Sequence, residues 1–104
     1  MGKLNPFNAE TLYLREFSKV YRNEISFDAG VEWDMRAFQI WLPDIHHALT
    51  GGIVVNSELE DGFSTWLVEG ETCDEDRLLL TLEVICDQYH MRVTKIRMLK
   101  RMKP

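Results

Sequence analysis

Three histidines and two cysteines are the side chains in this chain best suited to metal or nucleophilic chemistry. His46 and His47 adjoin just past Asp44, whereas His90, Cys73 and Cys86 stand apart from them and from one another. A structural zinc site takes four nitrogen or sulfur ligands, and here they would have to converge from separate segments. The chain therefore reads as having no metal and no cofactor, with both cysteines as free thiols and Cys86 in the core. Nucleophile elbows, phosphate loops, dinucleotide fingerprints and zincin helices are absent. Gly51-Gly52 reads as a helix stop rather than a phosphate cradle, and His46-His47 as a polar helix face. No complete catalytic set emerges.

Charge is the more informative chemistry, because it is uneven. Residues 1–23 hold four basic and two acidic side chains, residues 24–87 two basic and fifteen acidic, and residues 88–104 six basic and none acidic, within a net charge of −5. The central excess repels phosphate backbones and attracts basic surfaces. Its candidate contact residues are Glu58, Glu60, Asp61, Glu69, Glu71, Asp74, Glu75 and Asp76, with Trp66 as an aromatic anchor beside them. The basic end offers His90, Arg92, Lys95 and Arg97 as an alternative RNA-contacting set. It lacks the interleaved aromatics that suit single-stranded nucleic acid, and it also suits a role in discouraging edge-to-edge strand pairing.

The elements that must position these groups are legible in outline. At 104 residues the chain fits one domain with one core. Asn8 reads as the N-cap of a helix over Ala9–Tyr21, with Leu12, Phe17 and Val20 among its apolar positions. The preceding Asn5-Pro6-Phe7 resembles a ligand motif for EH domains but reads more simply as a turn. Glu24–Phe27 reads as a short strand. From Trp33 the apolar residues Ala37, Ile40, Trp41, Ile45 and Leu49 recur at helical spacing. Pro43 divides them by opening a second short helix, which Gly51-Gly52 stops with a left-handed glycine. Ile53–Asn56 and Phe63–Val68 read as strands around the turn Glu58–Gly62, longer than the tightest hairpins. Residues 77–99 leave two readings open. Leu78, Leu82, Ile85 and Tyr89 fit a helix, while Leu78, Leu80, Leu82, Val84 and Cys86 alternate as a strand. Met91–Met98 is strand-like, with a slip near Thr94 that a bulge would explain.

Phe27, Met35, Ile40, Asp44-Ile45, Ala48-Leu49 and Gly52, followed by Trp66-Leu67-Val68, Leu78–Val84 and Arg92–Leu99, carry a resemblance. Over residues 27–99 the chain resembles a family of small RelE-like domains of unknown function, whose fold is shared with barnase-like and colicin-like ribonucleases. The agreeing positions are mostly apolar. The resemblance implies a β-hairpin over residues 77–99, and an RNA-cleaving ancestry. In its register the family's histidine falls on Gly30 and its arginines on Asp34 and Phe38. Metal-free RNA cleavage needs a base, an acid and cations on the developing phosphorane, and these residues supply none of the lost groups.

The expected fold is α+β: an N-terminal helix and two short helices packed on a mainly antiparallel sheet of about four to five strands. No apolar run approaches the roughly 18 residues of a membrane span, and the start has no signal-peptide core. Pro6 stands where an N-myristoylation motif wants Ser or Thr. The expectation is a cytoplasmic protein, a binding module more than an enzyme. It would be an acidic binding module of the immunity or antitoxin type, neutralising a basic partner such as a nuclease toxin. Two alternatives stand beside it, a divergent RelE-like ribonuclease or translation inhibitor and an adaptor subunit of a larger assembly.

Overall fold

The computed structural model describes residues 6–85 and 90–102. It is α+β, in the expected order. Helix α1 (Asn8–Val20) leads through a 3-10 turn at Arg22–Glu24 into strand β1 (Ile25–Phe27), then α2 (Ala29–Phe38) and α3 (Leu42–Thr50). Four strands follow as a meander: β2 (Ile53–Glu60), β3 (Phe63–Glu71), β4 (Arg77–Ile85) and β5 (His90–Lys100). The sheet order is β1-β5-β4-β3-β2, antiparallel throughout except where β1 lies parallel to β5.

Residues 77–85 and 90–99 form two antiparallel strands rather than a helix. The uninterrupted alternation Leu78, Leu80, Leu82, Val84 puts four fully buried side chains on one face, an arrangement worth roughly 1.5–3 kcal/mol for each side chain. A helix would have scattered them around its circumference. Strand β5 answers with Met91, Val93 and Ile96, all buried. The first two share parity and the third does not. The pairing accommodates this by skipping Thr94: Thr81 opposes Lys95 while Leu82 opposes Val93. The slip near Thr94 is therefore the expected bulge. Cys86 and Tyr89 lie outside the described residues.

All three helices pack on the buried face of the sheet, and among the described residues no layer covers its other face. Helix α1 buries Thr11, Leu14, Phe17 and Ser18, while Leu12 and Val20 point to solvent. Asn8 is its first helical residue, after Phe7, and no side chain caps its start. Helix α2 ends at Gln39, which takes the left-handed conformation at φ 57°. The Gln39 N–H bonds the Arg36 carbonyl and the Ile40 N–H the Met35 carbonyl, the double closure that usually recruits glycine. Helix α3 carries Pro43 in its first turn as expected. Its stop is different: Gly51 has φ −104°, and neither Gly51 nor Gly52 has a positive φ. The requirement at Gly52 is space, since a Cβ there would sit 2.5 Å from the Ala48 carbonyl oxygen. Gly70 on β3 meets the same oxygen at 2.2 Å. These two glycines and Ala48 let the end of α3 seat directly on the sheet.

Both sheet edges are guarded, as unpaired edges must be to avoid adding further strands. At β2, the Thr11 hydroxyl accepts the Val54 N–H at 3.0 Å, and a bulge at Val55 follows. At β5, β1 pairs only with Met91–Val93. Helix α2 then follows the rest of the strand, from the Asp28 N–H on the Val93 carbonyl to the Arg101 side chain on the Phe38 carbonyl.

Candidate functional site: the uncovered sheet face and the acidic hairpin

Cross-strand partners share a face, so the pairing fixes what the uncovered side presents. From β2 to β5 its rows read Glu60, Phe63, Ile85, His90, then Glu58, Thr65, Glu83, Arg92, then Asn56, Leu67, Thr81, Lys95. Ile53, Glu69, Leu79 and Arg97 form the next row, and Glu71, Arg77 and Lys100 the one after. Apolar side chains run through the middle, carboxylates concentrate on β2 and β3, and cations on β5. The bulge at Thr94 is what keeps His90, Arg92, Lys95 and Arg97 on one face. Without it the parity of the last two would invert.

The eight acidic candidates do not form one surface. Glu58, Glu60 and Asp61 lie at the β2–β3 hairpin, all exposed and without an ion pair among the described residues. Glu69 and Glu71 lie toward the other end of β3, about 20 and 26 Å along the strand from Phe63, which opposes Glu60, at 3.3 Å per residue. Both are already bound by Arg77, at 2.8 and 3.1 Å. Asp74 and Glu75 occupy the β3–β4 turn, which Glu75 rounds at φ 68° and which the Thr72 hydroxyl organises by accepting the Asp74 and Asp76 N–H groups. Asp76 is buried, and its carboxylate accepts the Met102 N–H at 2.8 Å. It holds the chain end to the turn and is not available to a partner.

Trp66 is not the exposed anchor expected from sequence. It is 5% exposed, on the helix-covered face, in edge contact with Tyr13 at 6.1 Å. Its position follows from parity with Val68, which alternation requires to point the same way. The exposed tryptophans are Trp33 (70%) and Trp41 (68%), the first with the Arg36 guanidinium 5.6 Å above its ring. The projecting apolar residue beside the acidic hairpin is Leu59, 86% exposed. The hairpin is also tighter than expected: Glu60 pairs with Phe63, so Asp61-Gly62 alone makes the turn, with Gly62 at φ 86°. Asp-Gly was the signal for this.

On the basic strand, Arg92 is held by Glu83 at 2.5 Å and Asp28 at 3.3 Å. Lys95 and Arg97 have no ion pair among the described residues. His90 Nε2 lies 3.0 Å from the Ser26 hydroxyl, a contact across the parallel β1–β5 pair that sequence reading did not anticipate.

The remaining chemistry-bearing groups are committed to structure. Asp44 accepts the Trp41 N–H at 3.0 Å, capping α3, and the Cys73 N–H at 3.2 Å, tying that helix to the β3–β4 turn. His47 Nδ1 donates to the Glu71 carbonyl at 2.8 Å. His46 titrates below its ordinary value through burial and the nearby Arg22. Cys73 lines an open cleft of about 330 Å³ with both of these histidines. Its thiol is pushed up by desolvation and by Asp44, the opposite of an activated nucleophile. Among the described residues no group of histidine, cysteine and carboxylate side chains is placed to hold a metal ion, and no helix is long and apolar enough to cross a membrane.

Fold and site together define a two-layer α+β domain with one free sheet face and an acidic hairpin at its rim. Comparison with known proteins matches no family model, no curated protein and no solved structure.

Proposed function

We propose that this chain is a protein-binding module of the inhibitor or immunity type that neutralises a basic partner, such as a nuclease toxin. The observation that carries this reading is the β2–β3 hairpin, which presents exposed Leu59 on one face of β2 and Glu58 and Glu60 on the other, with Asp61 at the turn and no ion pair to these carboxylates among the described residues. Carboxylates of this kind steer a cationic surface into contact, and a projecting apolar side chain on the other face of the same hairpin gives a partner that wraps the tip an anchor that salt does not screen. Leu59 takes the anchoring role, since Trp66 serves the core. The uncovered face favours a protein over a nucleic acid. Its cations (Arg77, Arg92, Lys95, Arg97, Lys100) only match its carboxylates (Glu58, Glu60, Glu69, Glu71, Glu83) in number, and the carboxylates on β2 and β3 work against a phosphate backbone lying across the face.

The test is affinity purification of the tagged protein from its native cells at low salt, followed by mass spectrometry. A stoichiometric basic protein is expected, released by raised salt. The triple variant Glu58→Lys, Glu60→Lys, Asp61→Lys and the single variant Leu59→Asp should both lose it, while Lys95→Ala with Arg97→Ala should keep it. Retention by the hairpin variants would refute the reading.

One specific arrangement favours a second reading, a divergent RelE-like ribonuclease or translation inhibitor. The bulge aligns His90, Arg92, Lys95 and Arg97, and Ser26 engages the His90 ring. That reading expects growth arrest on expression, relieved when Arg92, Lys95 and Arg97 become alanine. Harmless expression with no effect on RNA counts against it.

A further inference from the structure

From the charge layout of the uncovered sheet face, we propose that it is the interface of a homodimer, in which a second copy packs its own uncovered face against it. The inference goes beyond the partner-binding reading and shares only Glu58 and Glu60 with it.

Three observations converge. First, the face carries an apolar centre with no layer over it among the described residues: Phe63, Leu67, Leu79 and Ile85 are each only half-buried. Second, both edges are guarded, by Thr11 and the Val55 bulge at β2 and by β1 with α2 at β5. Growth of the sheet sideways is thereby discouraged, and stacking is left as the way to cover it. Third, the charge layout is self-complementary under one symmetry operation. A two-fold axis parallel to the strands and midway between β3 and β4 lays β2 of one copy over β5 of the other, and β3 over β4.

In that arrangement each row faces its own reversal. Glu60 meets the second copy's His90, and Phe63 meets its Ile85. Glu58 falls between the second copy's Arg92, in its own row, and Lys95, in the next. Lys95, without an ion pair among the described residues, thus gains Glu58 across the interface, while Arg97 lies over the second copy's Ile53 at the end of the stack. The alternative axis, perpendicular to the strands, would set β2 on β2 and place like charges together, which costs energy. Aligned sheets stack about 10 Å apart with interdigitating side chains, and this one presents four strands of eight to eleven residues. At the usual strand spacings the stack buries on the order of 1,000 Å² in total, near the lower limit of specific interfaces. A reversible dimer follows, sensitive to single substitutions. Because it occupies Glu58 and Glu60, the dimer and the complex with a basic partner exclude each other.

The experiment is sedimentation of the purified full chain, with no partner present, over a concentration series. The wild type should approach twice the 12.2 kDa chain mass. Leu79→Lys should return it to monomer, as should Glu58→Lys alone and Lys95→Glu alone. The double variant Glu58→Lys with Lys95→Glu should restore the dimer. Circular dichroism and thermal unfolding of each variant separate loss of the interface from loss of fold. A wild type that stays monomeric into the millimolar range overturns the proposal. So does a dimer indifferent to Leu79→Lys, or one the charge swap does not rescue. A monomer that binds a single-stranded RNA oligonucleotide and loses it on Leu79→Lys would assign the face to nucleic acid instead. The test includes no partner protein, so failure of the hairpin reading and failure of the dimer are read separately.

Discussion

At the scale of single residues, Asp44 shows how a polar group becomes structural. One carboxylate oxygen caps α3 and the other accepts the Cys73 N–H, so two elements depend on it. Asp44→Ala removes a cap and leaves a second N–H without its acceptor. The expected loss is about 2 kcal/mol of unfolding free energy, measured by urea denaturation. His46 makes a pH prediction of definite sign. Its folded-state value lies below its ordinary one, because burial and Arg22 both oppose the charged form. On acidification the unfolded chain therefore takes up the proton first. Stability should be flat above roughly pH 6.5 and fall as the pH drops through the window below it. His46→Gln should flatten that slope in denaturation midpoints recorded across the window, and an unchanged slope would place its origin elsewhere.

At the scale of elements, two joints carry the architecture. The first is the contact of α3 with β3, where Gly70 lies under the Ala48 carbonyl. Gly70→Ala puts a methyl group where backbone already is, with a cost of about 1–3 kcal/mol or more. A thermal midpoint equal to that of the wild type would contradict this packing. The second is the bulge at Thr94, which lets Val93 and Ile96 both point inward. Deleting Thr94 would turn Ile96 to solvent and drive Lys95 and Arg97 toward the core. Loss of the cooperative unfolding transition is expected, whereas Thr94→Ser should leave it intact.

At the scale of the whole molecule, the relevant property is the separation of charge. The chain carries −5 overall, yet its sheet face is acidic along β2 and β3 and basic along β5. A basic partner approaching the hairpin is accelerated by this field, and steering of this kind raises association rates by roughly 10- to 1,000-fold. Lysine at positions 58, 60 and 61 should therefore slow association by about tenfold or more and flatten its dependence on ionic strength, in stopped-flow measurements with the captured partner. A rate that keeps its salt dependence would move the contact surface away from the hairpin.

The amino-acid sequence by itself determined most element types and their order, but its pattern left residues 77–99 open between helix and strand. Alternation in Leu78–Val84, helical spacing from Trp33 to Leu49, Pro43 and Asp61-Gly62 are local signals, set by backbone geometry within a few residues. The slip at Thr94 was legible for the same reason. Gln39 was not, because nothing in its chemistry announces a left-handed helix end; the packing of Ile40 imposes it. The candidate site divided along the same line. The residue types and the charge of each segment could be read directly, but which carboxylates share a surface depends on the strand order. Only the tertiary structure joined Glu69 and Glu71 to Arg77, buried Asp76 and Trp66, and left Leu59 projecting. It alone placed His90, Arg92, Lys95 and Arg97 across the sheet from Glu58 and Glu60. Those relations connect residues far apart in the chain, and the free energy that selects them comes from the core on the opposite face.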